Sequence, residues 1–283
     1  VRALAGEHRI AVFNRGESKV ELPANVRHFS GNRKDATQLE SAIRAFGPDV
    51  VLDFIGYETE EAQQAIAICR GRVAQFVFVS TVDVYGFPLK TIPARESDAW
   101  NAAASDYARK KQDMETLFMA HHSDALPVTI VRPTCSVGTW LLPLGTAWCW
   151  AMIQRMREGR PVLVPGDGTN LMQCGHASDT GRMIAKVVLS PGSFGEVYNV
   201  GGETWTTQDE YYRAIGKVVG REPNIVHIPS DLLLSTQNPA ITKSRIADVA
   251  RFHLAFSMEK FQSYFPDFQW EFSLEQTVRR VIE

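Results

Sequence analysis

Short runs of apolar residues alternate with longer stretches of mixed polarity along the first half of the chain. A short continuous apolar run is typical of a strand that is buried on both faces of a parallel sheet. The stretches between the runs place apolar residues three and four positions apart, which is typical of amphipathic helices. The predicted strands are residues 9–13, 26–29, 49–53, 76–79 and 128–131, and the predicted helices are residues 36–46, 58–69 and 104–119.

The alternation of strands and helices predicts an α/β fold of the doubly wound type, with helices on both faces of a parallel sheet. After Pro133 the pattern is less regular. We expect residues 1–133 to form the sheet domain and residues 134–283 to form mainly a smaller α/β lobe, with segments near residues 175–200 returning to the first domain. The later predicted helices lie near residues 145–157, 178–188 and 207–219, and the later predicted strands at residues 161–164, 196–199 and 224–227.

The composition is that of a globular chain without a strong charge bias. Of the 283 residues 45% are hydrophobic, which suffices for one large core or for a core with a smaller lobe. The formal net charge of −2 gives no general attraction to nucleic acid or anionic membranes, so neither partner is expected. The sequence shows no membrane-spanning apolar stretch and no secretory pattern at its start. The four cysteines have no metal-like spacing, so we expect reduced packing cysteines, no bound metal and a cytoplasmic location.

One of the seven tyrosines, Tyr107, is followed by a lysine four positions later, Lys111. Both lie in the predicted helix 104–119, so their side chains share one helix face. A cation one turn away favours the phenolate form of a phenol. The strand at residues 76–79 ends at Ser80 and Thr81, and a hydroxyl delivered there can share the same substrate oxygen. The combination predicts a general acid and base that moves a proton on or off a hydroxyl while a hydride moves elsewhere.

Further segments accompany this pair. Ser80-Thr81 is followed by Tyr85-Gly86, and Val131-Arg132-Pro133 closes the next predicted strand. Later come RPVLVPGDG at residues 160–168, His176 with Asp179, and GEVYNVGG at residues 195–202. Together these segments resemble the extended short-chain dehydrogenase/reductase family, and in particular its NAD-dependent epimerase/dehydratase branch, over essentially the whole chain. The opening VFNRG at residues 12–16 resembles a sub-branch that also contains chloroplast stem-loop RNA-binding proteins.

The resemblance implies a Rossmann-type domain that binds NAD or NADP and a lobe that binds a small-molecule substrate. The leading implied activity is oxidoreductive chemistry on a nucleotide-linked sugar, as in sugar epimerases and dehydratases. An NADP-dependent reductase or dehydrogenase and a non-catalytic RNA-binding or regulatory protein of the same fold are the alternatives, and a homodimer is left open. The implied catalytic residues are Thr81, Tyr107 and Lys111, and the implied cofactor-binding residues are Asn14, Arg15, Asn32, Arg33, Gly56, Ser80, Lys111, Arg132 and Pro133.

Two of these assignments have plainer alternatives. The hydroxyl of Thr81 can instead cap the turn that follows the strand, in which case Ser80 would replace it in catalysis. Gly56 can be an ordinary turn glycine instead of a position of close cofactor approach.

The sequence departs from the family pattern at its amino terminus. No glycine-rich dinucleotide-binding turn precedes the strand at residues 9–13, and residues 1–8 resemble the end of the helix that follows such a turn. We therefore expect the sequence to begin inside the first helix, as a truncated sequence in preference to a naturally shortened protein. Loss of the preceding central strand would leave two strand edges unpaired in the middle of the sheet.

A second departure concerns the choice between NAD and NADP. The family pattern has an acidic residue, which binds the adenosine ribose of NAD, where this chain has Asn14 followed by Arg15. An arginine favours a 2′-phosphate through its charge and fork geometry, but it can also stack on adenine. The choice therefore stays open. Asn32 and Arg33 occupy the turn beside the adenine, where an asparagine can still hydrogen-bond the amino group.

The remaining departures bear on the substrate. Sugar-nucleotide dehydratases carry an acidic pair after the threonine, whereas this chain has Val82 and Asp83, and Asp83 is interpreted as a turn residue. Residues 170–173 contain no cation where sugar-nucleotide epimerases hold the substrate diphosphate with an arginine. His176 and Asp179 are expected to orient the lobe, with Asp179 capping the helix that follows.

Overall fold

The computed structural model of the protein describes residues 1–17, 21–138, 149–238, 241 and 249–282. The start of the helix predicted near residues 145–157 lies outside these residues. The strands are β1 (Ile10–Asn14), β2 (Val26–Ser30), β3 (Val50–Asp53), β4 (Gln75–Val79), β5 (Val128–Pro133), β6 (Cys135–Val137), β7 (Val162–Pro165), β8 (Leu171–Met172), β9 (Cys174–His176), β10 (Val197–Val200), β11 (Thr206–Thr207) and β12 (Ile225–Ile228). The helices are α1 (Ala36–Phe46), α2 (Thr59–Cys69), α3 (Asp106–Ala120), α4 (Cys149–Arg157), α5 (Ala177–Val187), α6 (Gln208–Val219), α7 (Ser230–Ser235), α8 (Glu259–Tyr264) and α9 (Leu274–Ile282).

The parallel sheet of the first half is in two pieces. One piece pairs β1 with β2 in parallel, and the other has the strand order β10-β5-β4-β3. β3 pairs with β4, and β4 with β5, in parallel. Among the described strands, β1 and β3 each have a single neighbour. The predicted α/β fold with a parallel sheet is confirmed, and these first five strands lie within two residues of their predicted ranges.

Packing of α3 on β4 fixes the position of Lys111. Every residue of β4 is buried. The Phe118 ring lies 4.8 Å from the rings of both Phe76 and Phe78, measured between centroids. Lys111 precedes Phe118 by seven positions, which is two helical turns, so it lies on the same buried face of α3. The packing of α3 against β4 therefore places Lys111 next to the sheet.

The chain divides into two compact units. Unit 1 comprises Val1–Val84, Asp106–Arg132 and Gly181–Tyr198, and unit 2 comprises Tyr85–Ser105, Pro133–Thr180 and Asn199–Glu283. Unit 2 has its own apolar core, which includes Val137, Met156, Val164 and Tyr211. The assignment of cofactor binding to one unit and substrate binding to the other stays a prediction.

Several short elements of unit 2 were not predicted, namely β6, β8, β9, β11, α7, α8 and α9. Strands of two or three residues are too short to show a hydrophobic period, and the partner strand determines where they form. In the described ranges no helix is long and apolar enough to cross a membrane, and no cluster of three or more potential metal ligands occurs.

Candidate functional site

Lys111 is buried in α3, with 1% of its surface exposed. Its Nζ donates hydrogen bonds to the main-chain oxygens of Gly56 at 2.8 Å and Val79 at 3.1 Å. Val79 ends β4, and Gly56 lies just beyond the end of β3, so the lysine ties α3 to the carboxyl ends of two neighbouring strands. These contacts use two of the three N–H donors of the ammonium group, and the third has no hydrogen-bond partner among the described residues.

The surroundings of Lys111 act on its charge in opposite directions. Burial lowers the pKa of Lys111 to about 8, while the carboxylates of Asp53, Glu115 and Glu61 act to raise it. At neutral pH the side chain is therefore mainly a cation.

Tyr107 lies one turn before Lys111 in α3 and has 40% of its surface exposed. The ring of Tyr57 lies next to both residues. Its centroid is 6.3 Å from the centroid of the Tyr107 ring and 5.0 Å from Nζ of Lys111. The helix thus carries an accessible phenol and a buried cation one turn apart, with an aromatic ring beside them.

The two hydroxyl residues after β4 have different surroundings. Ser80 donates its main-chain N–H to the oxygen of Val131 at 2.8 Å, but its buried hydroxyl has no hydrogen-bond partner among the described residues. Thr81 accepts the main-chain N–H of Asp83 on Oγ1 at 3.1 Å. That contact caps the turn and still leaves the O–H of Thr81 as a donor. Buried hydroxyls without partners are rare in proteins, so Ser80 marks a place where a ligand could supply one.

A side chain at Gly56 would be crowded by the ends of two neighbouring side chains. A Cβ atom at this position would lie 2.8 Å from Cε of Met114 and 3.0 Å from Oδ2 of Asp53. Its carbonyl oxygen is one of the two that hold Lys111. Gly56 therefore packs the end of β3 closely against α3, which is more than an ordinary turn requires.

Asn14, the last residue of β1, is held through its amide oxygen. Oδ1 accepts the main-chain N–H of Gly16 at 2.8 Å and lies 2.9 Å from Nε2 of His28. Because a main-chain N–H can only donate, the oxygen must face it, and His28 must then donate from Nε2. In the part of the chain that the structure describes, the amide nitrogen of Asn14 has no partner and can donate to a ligand. Arg15 is exposed and pairs with Glu17 at 3.1 Å, a type of contact that contributes little to stability.

Arg33, in the loop after β2, has a structural partner that the sequence did not predict. It is buried, and its Nη2 pairs with Asp53 at 2.5 Å and donates to the main-chain oxygen of Glu61 at 3.1 Å. Its Nη1 is buried without a hydrogen-bond partner in the described part of the chain. Oδ1 of the neighbouring Asn32 accepts the main-chain N–H of Lys34 at 3.0 Å. Arg33 thus joins the loop after β2 to the end of β3.

Arg132 is also engaged in a buried ion pair. Its Nη2 lies 2.7 Å from Oε2 of Glu115 and its Nε lies 3.1 Å from Oε1, so the guanidinium holds both carboxylate oxygens. The side chains of Arg132 and Glu115 are 4% and 3% exposed. This pair fastens β5 to α3, and Pro133 ends β5. A direct contact of Arg132 or Pro133 with a cofactor stays a prediction.

Four residues of this region were not singled out from the sequence: Tyr57, Asp53, Glu115 and His28. Asp53 is the last residue of β3, and Tyr57 directly follows Gly56. Their position at the carboxyl end of this strand is the sequence signal that could have identified them. Glu115 and His28 gave no signal, because their roles depend on partners far away in the sequence.

The prediction for Asp179 in unit 2 was wrong in one respect. α5 begins at Ala177, and the residue before it, His176, accepts the main-chain N–H of Ser178 on Nδ1 at 3.2 Å. Asp179 lies inside the first turn, where its carboxylate accepts the main-chain N–H groups of Glu271 and Phe272, both at 3.1 Å. Asp179 therefore holds a distant segment of unit 2 from within the first turn of α5, and it is not the residue that precedes the helix.

Sequence comparison matches residues 1–201 to the NAD dependent epimerase/dehydratase family. The chloroplast stem-loop binding protein of 41 kDa b from Arabidopsis thaliana is 29% identical over 236 residues, which are 78% of this chain and 59% of the plant protein. The 2′-dehydrokanamycin reductase of Streptomyces kanamyceticus is 25% identical over 274 residues, which are 95% of this chain and 76% of the reductase. The chain thus spans less than two thirds of the plant protein.

Structure comparison gives the same picture for the fold. The crystal structure of dTDP-glucose 4,6-dehydratase from Bacillus anthracis in complex with NAD has a TM-score of 0.74 to this chain. The two chains are 22% identical, and the alignment covers 98% of this chain and 88% of the dehydratase. The predicted Rossmann-type fold is confirmed by this likeness.

Proposed function

The chain belongs to the NAD dependent epimerase/dehydratase family, and we propose that it catalyses oxidoreductive chemistry on a sugar, with nucleotide-linked sugars as the substrate class. The observation that carries the proposal is the placement of Lys111. It is buried on the carbonyl oxygens of Gly56 and Val79, one turn from the accessible phenol of Tyr107. A surface helix that acquired this spacing by accident would leave its lysine in solvent.

Tyr107 is the proposed acid and base. Its phenolate takes the proton of a substrate hydroxyl when the carbon that bears it is oxidised, and its phenol returns a proton when a carbonyl is reduced. Lys111, held as a cation at neutral pH, favours the phenolate and directs its remaining N–H donor to a ligand hydroxyl. Thr81 is proposed to donate its O–H to the reacting oxygen, because its lone pair already accepts from Asp83.

The chain's residues fit a dinucleotide at several points. Among the described residues, Lys111 has one N–H donor without a partner, and the hydroxyl of Ser80 also lacks one. Asn14 presents its amide nitrogen as a further donor. NAD or NADP, when bound, supplies the hydride acceptor and donor of the family's chemistry. We propose that Ser80 and Lys111 hold the nicotinamide side and that Asn14 and Arg15 hold the adenosine side.

The orientation of Asn14 favours NADP over NAD. An acidic residue at the end of this strand would accept hydrogen bonds from the ribose hydroxyls. Asn14 has its acceptor occupied by Gly16 and His28, so it can only donate, and phosphate oxygens are acceptors. The exposed guanidinium of Arg15 adds a charge-assisted donor beside it.

The residue that follows Thr81 bears on the type of sugar reaction. Val82 in place of an acid argues against a dehydratase, since elimination of water needs a proton donor for the leaving group. We propose an epimerase as the leading activity and a simple reductase as the second, the latter favoured by the similarity to the Streptomyces reductase. RNA binding is a third proposal, which rests on the similarity to the plant stem-loop binding protein. A homodimer and a cytoplasmic location stay predictions.

The proposal is tested with the full-length protein in two measurements. Titration with NADP and NAD, followed by protein fluorescence, should show saturable binding. Incubation with UDP- and dTDP-linked hexoses in the presence of cofactor, followed by NMR of the sugar, should show an epimer or a keto sugar. A protein that binds neither cofactor, or that binds a stem-loop RNA tightly and converts no sugar, would refute the enzymatic proposal.

A further inference from the structure

Two of the four cysteines lie directly opposite each other in unit 2. β6 and β9 pair in parallel, and the register places Cys135 opposite Cys174. Residues that are paired across neighbouring strands project from the same face of the sheet. The spacing of the two cysteines along the sequence does not predict this pairing, because other elements of unit 2 lie between them.

We propose that Cys135 and Cys174 form a reversible disulfide, so that this strand pair is a site of thiol oxidation. Neighbouring strands lie about 4.7–4.9 Å apart, and disulfides span Cα separations of about 4.4–6.8 Å. The backbone therefore already holds the two residues within bonding range. Both are thiols in this structure.

The two cysteines are already in contact, and neither residue is fully buried. Cys174 shares a side-chain hydrogen bond with Cys135. Both side chains are partly buried and pack beside the core of unit 2. Cys69 in unit 1, by contrast, is fully buried, and burial raises the pKa of its thiol to about 12. A small oxidant can therefore distinguish the strand pair from Cys69.

Oxidation by a small disulfide proceeds in two exchange steps. The thiolate of Cys135 attacks one sulfur of the small disulfide, which forms a mixed disulfide and releases one small thiolate. Cys174 then loses its proton to solvent, and its sulfur attacks Sγ of Cys135 and expels the second small thiolate. The protein loses two hydrogens, and the small disulfide is reduced to two thiols. Cys135 attacks first because the hydrogen bond to Cys135, together with burial, raises the pKa of Cys174 and makes its thiolate scarce.

The bond would brace unit 2. It closes a loop that contains α4, β7 and β8, and such a cross-link reduces the entropy of the unfolded chain. Oxidation should therefore raise the thermal midpoint, and reduction should lower it again. Unlike the proposed function, this inference needs neither cofactor nor substrate.

The test treats the native protein with oxidised glutathione and maps its peptides without reduction by mass spectrometry. The expected product is a peptide pair that links Cys135 to Cys174, lighter by two hydrogens than the reduced pair. The thermal midpoint should rise by several degrees and return after dithiothreitol is added. Cys135→Ser and Cys174→Ser should each abolish both effects, and the matched control Cys69→Ser should leave both intact.

Three outcomes would overturn the proposal. In the first, both cysteines become glutathione adducts and no link forms between them. In the second, one of them links to Cys149. In the third, neither cysteine reacts in the native protein, although both react in the denatured protein. The peptide map of the unaltered protein decides among these outcomes even where a serine variant does not fold.

Discussion

Nζ of Lys111 donates to the main-chain oxygen of Gly56 at 2.8 Å, although 55 positions separate the two residues. This contact makes the end of β3 part of the same unit as the predicted acid and base on α3. A side chain at Gly56 would press on the ends of the Met114 and Asp53 side chains, and Met114 would have to shift. A substitution at Gly56, which has no side chain of its own, should therefore disturb the position of Lys111.

Gly56→Ala should lower the free energy of unfolding by about 1–3 kcal/mol, since the added methyl group would overlap Met114 and Asp53. The matched control is Gly181→Ala in α5, where a Cβ atom would meet nothing within 4 Å. That change should stabilise the protein by up to about 1 kcal/mol, because alanine is the better helix former. Urea denaturation of the two variants measures the contrast, and equal effects would show that the end of β3 is not packed as described.

Tyr107→Phe should lower turnover about a hundredfold or more, because general acid and base groups contribute that much. Its cofactor affinity should change little, since the phenol acts on the substrate, whereas Lys111→Ala should impair both. Tyr264→Phe removes a phenol of similar exposure in unit 2 and serves as the control. Steady-state kinetics and cofactor titrations decide the matter. Near-normal turnover of Tyr107→Phe would mean that another group moves the proton.

Lys111 should make stability rise with pH above about 8. The folded-state pKa is lowered from 10.5 to about 8, so below pH 8 both states are protonated and burial penalises the cation in full. Between pH 8 and 10.5 the folded state loses the proton while the unfolded state keeps it, which adds about 3 kcal/mol to the stability. Lys111→Met should remove this rise, and Lys186→Met, at an exposed position, should retain it. Parallel pH profiles in both variants and the wild type would contradict the assignment.

Asn14→Asp should shift cofactor preference toward NAD by about 1–2 kcal/mol, because a carboxylate accepts from the ribose hydroxyls and repels a 2′-phosphate. The quantity to measure is the ratio of the NADP and NAD dissociation constants. Asn224→Asp adds the same charge at an exposed position of unit 2 and should leave the ratio unchanged. If Asn14→Asp also leaves it unchanged, Asn14 does not face the ribose.

Arg132→Met and Glu115→Leu should each destabilise the protein by about 3–5 kcal/mol, because each leaves a buried charge without its partner. The double variant should recover most of that loss, since it buries no charge. Denaturation of the two single variants and the double variant measures the coupling. The cofactor affinity of the double variant is compared with that of Glu115→Leu, because Glu115 also acts on the charge of Lys111. A further loss in the double variant would show that Arg132 contacts the cofactor in addition to pairing with Glu115.

Much of the local structure could be read from the sequence because it depends on local pattern. The helix predicted near residues 36–46 forms at Ala36–Phe46, where Asp35 caps the first turn and Gly47 follows the last. Strands β1, β3, β4 and β5 are mainly apolar runs of ordinary length, and their boundaries follow from that. The spacing of Tyr107 and Lys111 likewise fixed their common helix face before any fold was known.

The partners of the buried charges were decided by the tertiary structure. Arg33 and Arg132 were predicted near a cofactor, yet their charges meet Asp53 and Glu115, to which no sequence spacing connects them. The same holds for Cys135 opposite Cys174 and for the carbonyl oxygens that hold Lys111. A periodic pattern specifies which face of an element is buried, but strand register and helix packing specify what that face meets. The sequence by itself therefore determined the first five strands and the shared helix face of Tyr107 and Lys111, and only the packed chain decided how Lys111 is held.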